Sequence, residues 1–113
     1  MARIRQYCGP FVYEINAGRM RQYCGPNLYE LNGKYVRNYC GPNRYEINGS
    51  YIRQYCGSNL LEFDGRRLRR YCGPFLVELD GNRIRQYCGP YLYEIDGALT
   101  HDELMMLLAV LYA

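Results

Sequence analysis

A sixteen-residue repeat constrains the fold of this chain more than any other sequence feature. The tripeptide Tyr-Cys-Gly occurs first at Tyr7-Cys8-Gly9 and returns at a constant spacing up to Tyr87-Cys88-Gly89. Six copies of the repeat follow one another without interruption. A fixed internal period is typical of repeat architectures, in which each copy contributes one small structural unit that contacts its neighbours.

Each copy has the pattern of a β-hairpin. Two short runs rich in aromatic and branched residues are separated by two kinds of turn. Asn48-Gly49 represents the first kind, because both residues tolerate the positive φ that a type I′ turn needs at its two central positions. Cys-Gly-Pro-x represents the second, because Gly and Pro end a strand. The sequence therefore predicts an all-β repeat over residues 1–99, a coiled antiparallel meander of six hairpins with about twelve strands. A β-solenoid with one repeat per coil is the alternative.

A register follows if Cys-Gly-Pro-x is a four-residue loop. Arginine and glutamate of the same copy then face each other, and a one-residue slip would separate every pair. We expect a structural ladder of ion pairs: Arg5 with Glu14, Arg21 with Glu30, Arg37 with Glu46, Arg53 with Glu62, Arg69 with Glu78, and Arg85 with Glu94. Such pairs are worth roughly 0.2–1 kcal/mol each. Identical copies do not bring distinct chemical roles together, so the ladder does not indicate an active site, and we expect no enzyme activity.

The two faces of the predicted sheet differ in polarity. The face that pairs apolar residues, such as Ile4 with Ile15, is the more apolar one and is expected inside. The same register places Ile47 opposite Ser50 across the Asn-Gly turn. If cross-strand partners are displaced along the strands from one copy to the next, the sheet coils. An open single layer would leave an apolar face in water, so the sheet must close, coil, or be covered by another copy.

Residues 100–113 follow a different pattern, that of a helix. Thr100 and Glu103 have the spacing of a capping box. From Leu104 to Ala113 every residue is apolar or tyrosine, and a helix that is apolar on all sides needs burial on all sides. We expect a capping and oligomerisation helix that either plugs the coiled sheet or packs against a second chain.

The first predicted strand begins at Ala2-Arg3 with an unpaired ladder edge. Pairing with another copy would satisfy this edge. The sequence therefore predicts a homo-oligomer or filament subunit, with the protein itself as the partner. The expected interface residues are Ile4, Leu104, Leu107, Leu108 and Leu111.

The cysteines and the single histidine give no pattern of metal ligands. All six cysteines occupy one repeat position, and no Cys-x-x-Cys occurs. Equivalent positions in neighbouring hairpins lie about 9–10 Å apart, beyond the roughly 7 Å limit for a disulfide. A solenoid would bring them to about 5 Å. We expect reduced, half-buried thiols at the hairpin bend, no metal and no cofactor.

Charge and hydropathy narrow the expected partners and location. The formal charge of +3 is mild. Leu104 to Ala113 is too short to span a bilayer, and the N-terminus leaves no room for a signal peptide, so we expect a cytoplasmic protein without membrane contact.

The segment Arg66-Arg67 with Arg69-Arg70-Tyr71 favours a second hypothesis, nucleic-acid binding through phosphate contacts and stacking. This hypothesis ranks below self-association.

The segment Tyr-Glu-Ile-Asn/Asp-Gly, as in residues 45–49, resembles the tandem β-hairpin repeats of bacterial proteins across residues 2–99. It is loosely similar to the aromatic hairpin repeats of choline-binding cell-wall proteins. Those repeats are longer and use Trp in the ligand cage, and this chain has no Trp. The resemblance therefore implies architecture alone, a hairpin stack or superhelix with a role in attachment or assembly.

Overall fold

The computed structural model describes residues 2–113, which form twelve strands and one helix. The elements are β1 (Ala2–Gln6), β2 (Phe11–Asn16), β3 (Arg19–Gln22), β4 (Asn27–Asn32), β5 (Tyr35–Asn38), β6 (Asn43–Asn48), β7 (Tyr51–Gln54), β8 (Asn59–Phe63), β9 (Arg67–Arg70), β10 (Phe75–Asp80), β11 (Arg83–Gln86), β12 (Tyr91–Gly97) and α1 (His101–Tyr112). No helix in this part of the chain reaches the length and hydropathy needed to cross a membrane.

The strands form a closed antiparallel barrel. Each pairs with its sequence neighbours, and β1 also pairs with β12. Ile4 therefore has Ile95 opposite it on one side and Tyr13 on the other. The predicted antiparallel meander of six hairpins with a C-terminal helix is confirmed, and the one-coil-per-repeat solenoid is excluded because consecutive strands run antiparallel. The predicted free edge at Ala2-Arg3 is wrong, since that ladder is completed within the chain.

The glycine turns lie one residue further along than the Asn-Gly pattern predicts. Asn48 stays in the ladder opposite Tyr51, so Gly49 and Ser50 are the central residues. Gly49 has a φ of +62°, which fits the first central position of a type II′ turn. The prediction that Ile47 faces Ser50 is wrong, because Ile47 faces Ile52.

The cysteine loops carry a β-bulge that the sequence prediction missed. Val36 pairs with Tyr45 but Arg37 pairs with Asn43, so Arg44 is an extra residue on its strand. The same position is skipped in every copy, at Val12, Leu28, Arg44, Leu60, Leu76 and Leu92. A bulge bends its strand and increases the local twist. Bulges repeated at one position therefore curve the sheet until it closes.

The bulge and the shifted turn together change the partners of the ion-pair ladder. Each glutamate faces the arginine of the next copy across the glycine turn, and the sixth faces the first: Glu14 with Arg21, Glu30 with Arg37, Glu46 with Arg53, Glu62 with Arg69, Glu78 with Arg85, and Glu94 with Arg5. The predicted pairing within a copy, Arg5 with Glu14 and its equivalents, is wrong by one repeat. The apolar row changes in the same way, so that Ile15 faces Met20 and not Ile4.

The barrel interior contains the inward-facing apolar side chains of the strands and the helix α1. The face with Ile4, Ile15, Ile47 and Ile52 is buried, which confirms the predicted inner face. Residues 105–109 of α1 are each at most 2% exposed. Because successive helical residues are rotated by about 100°, five buried ones in a row mean that protein surrounds the helix on every side. Of the two predicted roles for the helix, the plug is the one observed.

The molecule is a flat ring measuring 36 × 35 × 17 Å between Cα atoms. The two nearly equal dimensions are the diameter, and the short one is the barrel axis. We call the end formed by loops 7–9, 23–25, 39–41, 55–57, 71–73 and 87–89 the Cys rim, and the end formed by the glycine turns the Gly rim. Glu103 accepts a hydrogen bond from the Gly18 amide at 2.9 Å, so α1 begins at the Gly rim. Its twelve residues span about 18 Å, comparable with the 17 Å height of the ring. Tyr112 at its end lies near Tyr93, which is the Cα partner of Gln6 beside the Cys rim.

Candidate functional site

The outer wall of the barrel carries a belt of arginines and glutamates. Glu14 lies between Arg21, whose Nε is 2.7 Å from one carboxylate oxygen, and Arg3, whose Nε is 3.3 Å from the other. Glu94 is held in the same way by Arg5 and Arg83, at 2.7 and 3.2 Å. The twelve ladder residues are therefore brought together, with neighbours that sequence reasoning did not assign.

Arginine, and not glutamate, is what the belt presents to solvent. The paired glutamate side chains are 7–26% exposed, whereas their arginine partners are 32–69% exposed. The hydrogen bond from Arg21, supported by Arg3, holds the pKa of Glu14 below its usual value. Arg37 lowers the pKa of Glu30, and Arg5 with Arg83 lowers that of Glu94. The carboxylates of Glu14, Glu30 and Glu94 are thus ionised at neutral pH beneath a guanidinium layer.

Aromatic rings alternate with these arginines on the same wall. Phe11 and Tyr23 have ring centroids 5.2 Å apart, and Tyr7 and Tyr91 are 5.1 Å apart. The Arg83 guanidinium lies 5.3 Å from the Tyr91 centroid, a distance typical of a cation–π contact. One tyrosine of each copy is exposed here: Tyr7, Tyr23, Tyr39, Tyr55, Tyr71 and Tyr87.

Grooves between hairpins are found on this wall. One has a volume of about 510 Å³ and is lined by arginines around Glu14. Equivalent grooves lie beside Glu94 and Glu62. These grooves are polar and shallow, while the lumen is filled by α1 and the inward-facing apolar side chains of the strands.

The predicted cluster of arginines is divided between two surfaces. Arg67 and Arg69 bind Glu78 and Glu62 on the outer wall, whereas Arg70 ends β9 at the Cys rim.

The Cys rim has few charges. The residue before each Tyr-Cys-Gly is an amide in five copies and arginine in one: Gln6, Gln22, Asn38, Gln54, Arg70 and Gln86. The six cysteines are free and exposed, so the expectation that they are half-buried is wrong. Each adopts a positive φ of 55–57° in a turn closed by the following glycine, as in the 2.8 Å bond from Gly9 N to Gln6 O.

The last turn of α1 lies inside this ring. Val110, Leu111 and Tyr112 are half-buried. The Tyr112 hydroxyl is inaccessible and has no hydrogen-bond partner among residues 2–113, and burial raises its pKa to about 12. An apolar patch with one unsatisfied polar atom thus lies within a ring of five neutral amides and Arg70.

The Gly rim has the opposite character. The acidic residues outside the belt are gathered there: Asp64, Asp80, Asp96, Asp102 and Glu103. Asp64 accepts hydrogen bonds from the backbone amides of Arg67 and Arg66, which lower its pKa. His101 lies with Nε2 3.3 Å from Gly49 O at the helix start.

The predicted interface residues do not form one surface. Ile4 and Leu107 are fully buried and Leu108 is 2% exposed, so these residues belong to the core of one chain and their assignment to an interface is wrong. Leu104 is half-buried near the Gly rim and Leu111 near the Cys rim. Among the described residues no group of three or more His, Cys, Asp or Glu side chains is placed to hold a metal ion.

Sequence reasoning identified the charged belt but missed the Cys rim as a surface. The available signal was the amide before Tyr-Cys-Gly in five of the six copies, since a neutral residue at a strand end is compatible with contact to another molecule.

Comparison with known proteins finds no matching family model, no matching curated protein and no matching solved structure.

Proposed function

We propose that this protein is a non-enzymatic structural repeat protein that self-associates, with two copies meeting through their Cys rims. The observation that carries the proposal is the half-buried helix end, Val110 to Tyr112, inside a ring of five neutral amides and Arg70. Protein interfaces typically have an apolar centre depleted of charge and a polar periphery. The Cys rim has both parts, whereas the route through the first strand edge is closed by β12.

The size of the face suits a second copy. A face 36 × 35 Å across covers on the order of 1000 Å², compared with about 800 Å² per partner in a stable interface.

Matched polarity favours contact between like rims over head-to-tail stacking, because burying charged groups against an apolar patch is unfavourable. In a head-to-tail stack the apolar helix end would meet the Gly rim, where α1 begins with His101, Asp102 and Glu103. Two Cys rims instead bring apolar ends together about a two-fold axis. A two-fold contact closes on itself, so we expect a dimer and not a filament.

Light scattering after size exclusion tests this proposal under reducing conditions at micromolar concentration. We expect twice the 13.3 kDa mass of one chain. Q54E with Q86E puts like charges on the proposed interface and is expected to give monomers. S50E with N82E is the matched control, because it adds the same charges at the other ends of β7 and β11. A monomeric parent, or a mass that keeps rising with concentration, contradicts the proposal.

Nucleic-acid binding by the outer wall is the second candidate function. The exposed arginines above buried carboxylates, alternating with aromatic rings, favour it because single strands bind through basic grooves and stacking platforms. The ion pairs oppose it, since phosphate must compete with glutamates already held at 2.7–3.3 Å. Retention of single-stranded DNA that falls steeply with added salt would support this function, and no retention at low salt would exclude it.

A further inference from the structure

We infer that the Cys rim is a site of thiol–disulfide exchange, at which a small disulfide such as glutathione disulfide oxidises facing cysteines and joins two copies covalently. This inference rests on the proposed contact between Cys rims. It adds a chemical reaction that this contact alone does not require.

The backbone at the cysteines is the first observation. Each cysteine has φ between 55° and 57°, in the left-handed region where a Cβ is unfavourable. Glycine or asparagine is the usual residue at such a turn position. All six copies nevertheless have cysteine there, while the extra residue of the bulge varies among Val, Leu and Arg. Strain repeated at one position points to a use for the side chain.

The thiols have no evident role in the folded chain. They are exposed, and none belongs to the apolar core or to the residues packed against it. Disulfides within one chain are absent from residues 2–113, and equivalent positions two strands apart in a sheet are separated by about 9–10 Å. A disulfide partner for any of these thiols would therefore come from outside the chain.

The symmetry of the ring supplies that partner. Six equivalent loops lie around one rim. A two-fold axis in the plane of the interface that passes through a loop, or midway between two loops, brings the loops of one copy opposite those of the other. The axis also reverses their order. If Cys8 faces a given cysteine of the second copy, Cys24 faces the cysteine one repeat earlier in that copy. All pairs are therefore specified together.

The reaction balances without a further reagent. A cysteine thiolate attacks one sulfur of glutathione disulfide, which forms a mixed disulfide and releases one glutathione thiolate. The facing cysteine thiolate then attacks the protein sulfur and releases the second glutathione. Two cysteine thiols are oxidised, one glutathione disulfide is reduced to two glutathiones, and the two protons pass to the released thiolates.

The test treats the full chain with glutathione disulfide, followed by a non-reducing denaturing gel and mapping of cross-linked peptides. We expect a covalent dimer that dithiothreitol reverses, with bonded cysteines in the reversed order described above. The loops can be told apart because a different tripeptide begins the following strand in each copy, such as Phe11-Val12-Tyr13 and Phe75-Leu76-Val77.

A variant with every cysteine changed to serine is the matched control. It is expected to keep the dimer mass in solution but to show no covalent dimer on the gel. A non-covalent dimer that acquires only mixed disulfides with glutathione, or cross-links in no fixed order, overturns the inference and leaves the proposed dimer standing. A parent chain that is monomeric under reducing conditions contradicts the dimer itself.

Discussion

Arg5 donates a hydrogen bond from Nε to Glu94 Oε1 at 2.7 Å, across 89 positions of the chain. The same contact joins Arg21 to Glu14 over seven positions. The arginine–glutamate hydrogen bond that joins neighbouring copies is thus also made between the last copy and the first, where it closes the barrel. About eight strands enclose a lumen that side chains alone can fill. Twelve enclose a wider one, which α1 occupies.

The corrected register predicts which charges are coupled. E46R and R53E should each destabilise the barrel, and the double variant should recover stability, with a coupling of roughly 0.2–1 kcal/mol, because these residues are Cα partners. Urea unfolding measures the coupling. R53E with E62R is the control, since Arg53 faces Asn59 and not Glu62. A larger coupling to Glu62 than to Glu46 would contradict the register.

The enclosed helix predicts a large cost for truncating its side chains. L107A should lower the free energy of unfolding by about 2–5 kcal/mol, because Leu107 is fully buried. L99A is the comparison, since Leu99 is only partly buried beside the core, and should cost less. Both are measured by urea denaturation. Equal and small effects would mean that the helix lies outside the lumen.

The left-handed cysteines predict a stabilising substitution. C56G should raise stability by about 1 kcal/mol, because glycine removes the Cβ penalty at positive φ. C56S keeps the Cβ and should change stability little. Thermal unfolding in reducing buffer compares the two with the parent chain, whose Cys56 has a φ of +56°. A glycine variant less stable than the serine variant would show that the loop is not left-handed there.

The belt predicts weaker folding in acid. The pKa values of Glu14, Glu30 and Glu94 in the folded chain lie below their ordinary value of 4.5 because arginines hold the ionised form. Their contribution to stability is therefore complete above about pH 4.5 and is lost as the pH falls through the folded-state pKa values. The urea midpoint should be lower at pH 3 than at pH 6. E14Q should reduce this difference, and a midpoint that stays constant or rises in acid contradicts the account.

Much of the fold is predictable from particular residues. The Tyr-Cys-Gly period gives six hairpins, and the alternation around Ile47 and Ile52 identifies the inner face. Thr100 and Glu103 fix the helix start, and both bonds of the capping box are present. These features depend on local patterns that hold in any arrangement of the hairpins.

The register and the closure were not predictable for physical reasons. Asn48-Gly49-Ser50 fits a two-residue turn centred on either pair, and the choice depends on the ladder on both sides. The bulged residue has no common chemistry, being valine at Val12, arginine at Arg44 and leucine elsewhere. Closure depends on the sum of these local shifts, so missing the bulge left β1 with an apparent free edge. The Cys rim became recognisable only after the helix was placed inside the ring.

Nuclear Overhauser contacts of Ile4 test the closed barrel most directly. Cα partners across an antiparallel ladder lie about 4.5–5.5 Å apart, and Ile4 has one on each side. We expect cross-strand contacts from Ile4 to both Tyr13 and Ile95 in one spectrum of the reduced protein. Contacts to Tyr13 without any to Ile95 would mean that the sheet is open between its first and last strands.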